Sequence, residues 1–273
     1  MNREARASGK QGLRVLMTGA AGRVGRQLSR DLRLLGHDVT GCDIVDVPGL
    51  IKADCLNTER MAELCQDMDA VIHLAGIPNG DPGWETLRRL NIDGHRSMLQ
   101  AALSAGVKRF VFASSIHTIG AMPVDIRFTP SLPPAPSGIY GATKIAGEAL
   151  LYVHTLGGEM SGISVRICTY CEEPRNAREL KTWFSHADAA HLFDRCLRAP
   201  FGGYRMVWGV SANARLVKDD PAATEIGYRP RENAEAFAEV LAKAGVDVSA
   251  LGPWPTIGGR MTGADILQTS GPG

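Results

Sequence analysis

Val15-Leu-Met-Thr-Gly-Ala-Ala-Gly-Arg-Val-Gly25 decides the fold. Three apolar residues lead through Thr18 into glycines spaced three apart, at Gly19, Gly22 and Gly25, and a helical pattern follows. This is a strand running into a tight turn and a helix. Glycines in a turn often serve close packing and nothing more. After a first strand they do more, because the bare backbone lets a pyrophosphate approach and the new helix offers free N–H groups and a positive dipole end. Asp43 closes the next strand pattern eighteen residues beyond Gly25. There a carboxylate accepts hydrogen bonds from an adenosine ribose and repels a 2′-phosphate, so NAD is expected rather than NADP. Arg23, inside the turn, is expected to be a solvated surface arginine.

Working outward, short apolar runs alternate with helical ones. Strands are expected at Arg14–Thr18, Asp38–Asp43, Ala70–Ala75, Phe110–Ser114 and Gly162–Ile167. Helices are expected at Gly25–Leu35, Thr58–Gln66, Trp84–Ala105 and Tyr140–Leu156. That order predicts an α/β fold, a Rossmann-type doubly wound parallel sheet with helices on both faces. Residues 1–12 read as a disordered lead-in, 13–168 as the dinucleotide-binding domain, and 169–273 as a small C-terminal cap with elements that return to the sheet. Within that cap, helices are expected at Ala187–Leu197 and Ala234–Ala244.

Further along, Tyr140 and Lys144 stand four residues apart, on one helical face. An ammonium beside a phenol favours the phenolate and lowers its pKa towards the working pH. Ser114 and Ser115 end a strand, where one hydroxyl can orient a substrate oxygen that loses its proton as hydride leaves carbon. His117, two residues on, is a candidate pocket donor. The proline-rich stretch Thr129–Ser137 and the charged loop Cys168–Lys181 both lie beyond strand ends. Ligands bind there in open α/β sheets, so both are expected to line the substrate pocket.

Composition bounds the partners. The chain has 273 residues, 22% of them charged, and a formal net charge of +1, which gives no reason to expect nucleic acid or an anionic membrane. No apolar run approaches the roughly 20 residues that span a bilayer. Arg3, Arg6 and Lys10 stand in a polar N-terminus unlike a secretory signal, so the cytoplasm is the expected location. Six cysteines are scattered, and Cys168-Thr-Tyr-Cys171 lacks a matching second pair, so reduced thiols and no metal are expected.

These motifs together resemble an extended short-chain dehydrogenase/reductase: Thr18–Gly25, Val71-Ile-His-Leu-Ala-Gly76, Asn91-Ile-Asp-Gly94, Ala113-Ser-Ser115 and Tyr140-Gly-Ala-Thr-Lys144. The resemblance covers roughly residues 14 to 245. It implies catalysis by Tyr140, Lys144 and Ser115. It also implies NAD contacts from Gly19, Gly22, Arg23, Val24, Gly25, Asp43, Asp54, Leu74, Ala75, Gly76 and Asn91, with Tyr140 and Lys144. A narrower similarity runs through Phe112–Gly120, Glu173-Pro-Arg-Asn-Ala-Arg178, Thr182–His186 and Val207–Asn213. It is to the uronate dehydrogenases, which oxidise the anomeric carbon of a hexuronic acid to a lactone with NAD. It implies an acidic sugar held by Ser115, His117, Tyr140 and Arg178, the last on the carboxylate. Ile116, Pro78, Cys168 and Thr169 depart from that group's pattern, which has polar or small residues there. His186 and Asp188 resemble its fold-supporting segment. A homo-oligomer is expected.

Two other readings stand beside it. A nucleotide-sugar epimerase or dehydratase shares the motifs, but few residues follow the strand at Gly162–Ile167 to hold a nucleotide diphosphate. A non-catalytic NAD-binding protein has no need of Ser115, Tyr140 and Lys144 together.

Overall fold

The computed structural model describes residues 12–79, 83–249, 252 and 254–263, so the expected lead-in lies outside the described residues except for Gly12. Strand β1 (Arg14–Thr18) leads through the glycine turn into α1 (Arg23–Leu34), β2 (Asp38–Asp43) and the short β3 (Ile51–Lys52). Helix α2 (Thr58–Cys65) follows, then β4 (Ala70–His73) and α3 (Gly83–Leu87). A π-helical turn at Arg88–Asp93 joins α3 to α4 (Gly94–Ser104), so the expected single helix is broken in register at Asn91. Next come β5 (Arg109–Ser115), a 3₁₀ turn at Ile116–Ile119, α5 (Ile139–Thr155) and β6 (Ser161–Ile167).

The remaining elements are β7 (Thr169–Tyr170), α6 (Ala177–Thr182), β8 (Trp183–Phe184), α7 (His186–Arg198), β9 (Tyr204–Gly209), α8 (Pro221–Glu225) and α9 (Ala238–Lys243). A 3₁₀ turn at Ala234–Phe237 leads into α9, where one helix was expected. The main sheet has seven parallel strands in the order β3-β2-β1-β4-β5-β6-β9. Strand β6 is therefore not the last: β9 pairs outside it, and only its C-terminal half is buried. Tyr-Arg-Met-Val-Trp-Gly alternates poorly, which is why the sequence hides an edge strand there.

Alternation along each strand builds two apolar layers. Val15 and Met17 face Leu28 and Leu32 of α1 and Leu192 and Phe193 of α7. Leu16, Val71, Phe110 and Phe112 face Met61, Met98, Leu99 and Leu151 on the other side. A third cluster, around Ile116, Phe128, Cys168, Trp208 and Ile257, lies under the carboxyl ends of β5, β6 and β9 and roots the C-terminal segment 254–263. Ser185 caps α7, and Asp188 accepts the backbone N–H groups of Arg231 and Glu232, so that segment supports the fold. No helix among the described residues is long and apolar enough to cross a membrane.

Candidate active site

Two adjoining pockets open at the carboxyl ends of the strands. The first, about 340 Å³, is lined by Gly19, Gly22, Asp43, Asp54, Leu74, Ala75 and Gly76. Gly19 adopts φ +69, and a Cβ there would stand 2.6 Å from the Ala75 nitrogen, so the turn and the end of β4 meet backbone to backbone. Such closeness requires glycine. Gly22 begins α1 without a side-chain cap, leaving the first N–H groups of a twelve-residue helix open towards the pocket. Asp43 accepts from Ala21 N at 2.9 Å and Val45 N at 3.2 Å, which aims its carboxylate along the pocket edge. Asp54 is held the same way by Leu56 N at 2.9 Å. A cradle of bare backbone, helix N–H groups and a carboxylate fits a dinucleotide.

The second pocket, about 950 Å³, gathers Arg23, Val24 and Gly25 from the turn with Ser115, His117, Tyr140, Lys144 and Arg178. Arg23 stands at the edge of this pocket and is exposed, as expected of a solvated arginine. Asn91 lines neither pocket. The π turn directs it inward, where Oδ1 accepts from Ile77 N at 2.8 Å and Nδ2 donates to Ile77 O and the Thr143 hydroxyl. Asn91 braces the backbone behind the cofactor cradle instead of facing it.

Helix α5 brings Tyr140 and Lys144 over the end of β5. Tyr140 hydrogen-bonds the Ser115 hydroxyl, yet burial outweighs that bond and pushes the phenol up to about 12. The Lys144 ammonium sits 5.8 Å from the Tyr140 ring centroid and donates to Ala113 O at 2.8 Å. Burial brings it down to about 8, against the pull of Glu148. The expected lowering of the tyrosine by the lysine is thus not a property of the chain alone, because both groups are stripped of water. Ser114 donates to Glu148 at 2.5 Å, and Arg166 grips the same carboxylate through two nitrogens. Ser114 is committed to that network, which leaves Ser115 beside the phenol.

His117 stacks edge-on to Tyr140 with centroids 5.8 Å apart, and its Nδ1 bonds Ser137 Oγ at 2.6 Å. Ser137 ends the proline-rich stretch. That stretch does not line the pocket as expected; it braces His117 from behind, and Ser137 O accepts from Gly263 N at 2.7 Å. The charged loop does line it, through Cys168, Thr169, Asn176 and Arg178. Arg178 donates from Nε to Ile257 O at 2.6 Å and from Nη1 to Thr169 Oγ1 at 3.5 Å. Its carboxylate neighbour Glu179 is taken by Arg175, which bonds both oxygens. Arg178 has no ion pair among the described residues, and burial lowers its pKa. A half-buried guanidinium whose nearest carboxylate is already paired elsewhere is costly unless a ligand supplies a charge of its own. Trp254, Arg260 and Met261 also line this pocket, from a segment with no motif of its own.

The family model described as NAD dependent epimerase/dehydratase matches residues 15–192. A uronate dehydrogenase of Agrobacterium fabrum is 36% identical, over 82% of this chain and 86% of that protein. An NAD-dependent glucose-6-phosphate dehydrogenase of Haloferax volcanii is 34% identical, over 82% of this chain and 95% of that one. Among solved structures, the uronate dehydrogenase of Agrobacterium tumefaciens superposes with TM-score 0.83 at 33% identity, covering 92% of this chain and 96% of that one. A mutant of that enzyme was solved complexed with NAD and superposes equally well, at TM-score 0.83.

Proposed function

The chain belongs to the NAD dependent epimerase/dehydratase family, and from that premise we propose that it oxidises the anomeric carbon of a uronic acid to a lactone. NAD is the cofactor, and when bound it accepts the hydride. One observation carries the substrate class: Arg178, half-buried and without a carboxylate partner, faces the same pocket as Ser115 and Tyr140. A planar guanidinium grips a carboxylate through both oxygens, and the names of several relatives specify uronic acids.

In this reading Tyr140 is the base that takes the proton of the anomeric hydroxyl. Ser115, already bonded to the phenol, orients that hydroxyl so that its proton goes to Tyr140. Lys144, held by Ala113 O, places its charge beside the phenol and holds the nicotinamide ribose. His117, fixed by Ser137, bonds a ring hydroxyl. Arg178 anchors the opposite end of the sugar, so that carboxylate and anomeric carbon are both located. Along the cofactor, Asp43 takes the ribose hydroxyls and the turn from Gly19 to Gly25 the pyrophosphate.

Six cysteines without a disulfide support the cytoplasm as the place of work. The exposed Tyr152 and Val153 on α5 and Leu156 just past its end support self-association. The direct test is NADH formation from glucuronate and galacturonate, with lactone as product. Substrate returned as an epimer, with NAD unchanged, would instead favour the epimerase reading.

A further inference from the structure

The substrate side of the pocket has two unlike walls. Ser115, His117, Tyr140 and Arg178 make one polar wall. Thr169, Asn176 and Arg260 also line this space, but between them stand Pro78, Ile116, Cys168, Trp254 and Met261, none of which carries a charge or a strong hydrogen-bonding group except the indole N–H. They come from four places: the chain after β4, the turn after β5, the exit of β6, and the C-terminal segment. Ile116 is 3% exposed and Cys168 8%, and both are backed by the cluster of Phe128, Trp208 and Ile257. Burial holds the Cys168 thiol up at about 12, so this wall stays neutral.

The segment that brings Trp254 and Met261 is fixed. Pro255 O accepts from Val124 N at 3.0 Å, Ile257 N donates to Met122 O at 2.8 Å, and Gly258 N donates to Gly120 O at 2.8 Å. Gly252, at φ +91, lies against the Trp254 ring at 3.6 Å, measured from where its Cβ would stand. The tryptophan is therefore seated as part of the wall.

We infer that the sugar taken here is a uronic acid whose face towards this wall has lost a free hydroxyl: a deoxy or O-methylated uronic acid. This rests on the uronate reading above and narrows it. A ring hydroxyl pressed against Pro78, Ile116 and Trp254 gives up water and finds no partner, whereas a methyl or methylene group is at home there. An indole face suits the C–H bonds of a pyranose, as apolar walls do in sugar pockets generally. Arg178 still requires the carboxylate, and Ser115 and Tyr140 still require the anomeric hydroxyl.

The test compares kcat/KM, read as NADH formation, for glucuronate and galacturonate against their 4-O-methyl ethers and their 2-, 3- and 4-deoxy derivatives. At least one modified acid is expected to exceed its parent by about tenfold or more, the discrimination a single unpartnered hydroxyl gives. Met261→Gln and Pro78→Ser put hydrogen-bonding groups at sites that do not belong to the catalytic set. Each is expected to bring the ratio down by about threefold or more, by raising the parent's kcat/KM. Parents that equal or exceed every modified acid overturn the inference and leave the uronate reading intact, as does a ratio that neither folded variant moves. If no uronic acid of either kind is oxidised, the uronate reading itself falls and takes the inference with it.

Discussion

Arg178 Nε donates to the carbonyl oxygen of Ile257 at 2.6 Å, across 79 residues of sequence. The residue proposed to read the substrate's charge is thus aimed by a segment distant in the chain. Gly259 makes this fit possible. It adopts φ +62, and a Cβ there would come within 3.2 Å of Arg178 Cδ and Nε.

Gly259→Ala should therefore displace the guanidinium. Left-handed backbone already disfavours alanine, and the contact falls on the stem of Arg178. KM for a uronic acid should rise about tenfold, with kcat within about threefold of wild type, because the catalytic trio is untouched. Steady-state kinetics check it; an unchanged KM would detach Gly259 from substrate binding.

Replacing Asp43 by Ser should weaken NAD binding by roughly ten- to a hundredfold, the worth of hydrogen bonds to a charged group. Discrimination against NADP should fall at the same time, since the repelling carboxylate is gone. Titration calorimetry with NAD and NADP reads both. A wild-type protein that binds the two alike would contradict the assignment of Asp43 to the ribose.

Tyr140→Phe keeps the ring and removes the base, and should lower kcat by roughly 10²–10⁴-fold. In the wild type the phenol must ionise before it accepts a proton, and its pKa of about 12 in the chain alone means that the rate rises with pH from neutrality upwards. A flat profile together with near-normal Tyr140→Phe turnover would exclude this tyrosine from proton transfer.

Lys144 trades stability for function. Its folded pKa of about 8 lies below the ordinary 10.5, so the buried charge is unfavourable below about pH 8. Between those values the unfolded chain holds a proton that the folded chain has released, so stability rises with pH. Lys144→Met should remove a cost of order 3 kcal/mol at neutral pH and raise Tm. The gain should shrink as the pH climbs towards 10, while activity falls at every pH. Thermal unfolding of both proteins at two pH values tests it, and a variant no more stable than wild type at neutral pH would refute it.

Much of this architecture is legible in the sequence because it is local. The strand–turn–helix at Val15–Gly25 and the Tyr140/Lys144 spacing depend on nearest neighbours, and the structure puts these groups around one continuous cleft. Residues set by distant contacts are not legible in this way. Asn91 is turned inward by a π turn that leaves no mark on hydrophobic periodicity. Strand β9 is an edge strand whose half-buried first residues, Arg205 among them, break the apolar run. Trp254 and Met261 reach the pocket only because backbone bonds tie their segment to Gly120 and Met122. Residue type and spacing alone allow Arg178, in a loop rich in glutamates, either a surface ion pair or a substrate contact. Only the geometry shows that Arg175 takes Glu179 and leaves Arg178 without a partner carboxylate.

The central claim is that this enzyme selects an acidic sugar through Arg178, and kcat/KM on a uronic acid and its matching neutral hexose tests it most directly. Wild type should favour the acid strongly. Arg178→Ala should lose roughly ten- to more than a hundredfold on the acid, since a hydrogen bond to a charged group is worth about 1.5–3 kcal/mol, and little on the hexose. Equal losses on both sugars, or a wild type that prefers the hexose, would contradict the account.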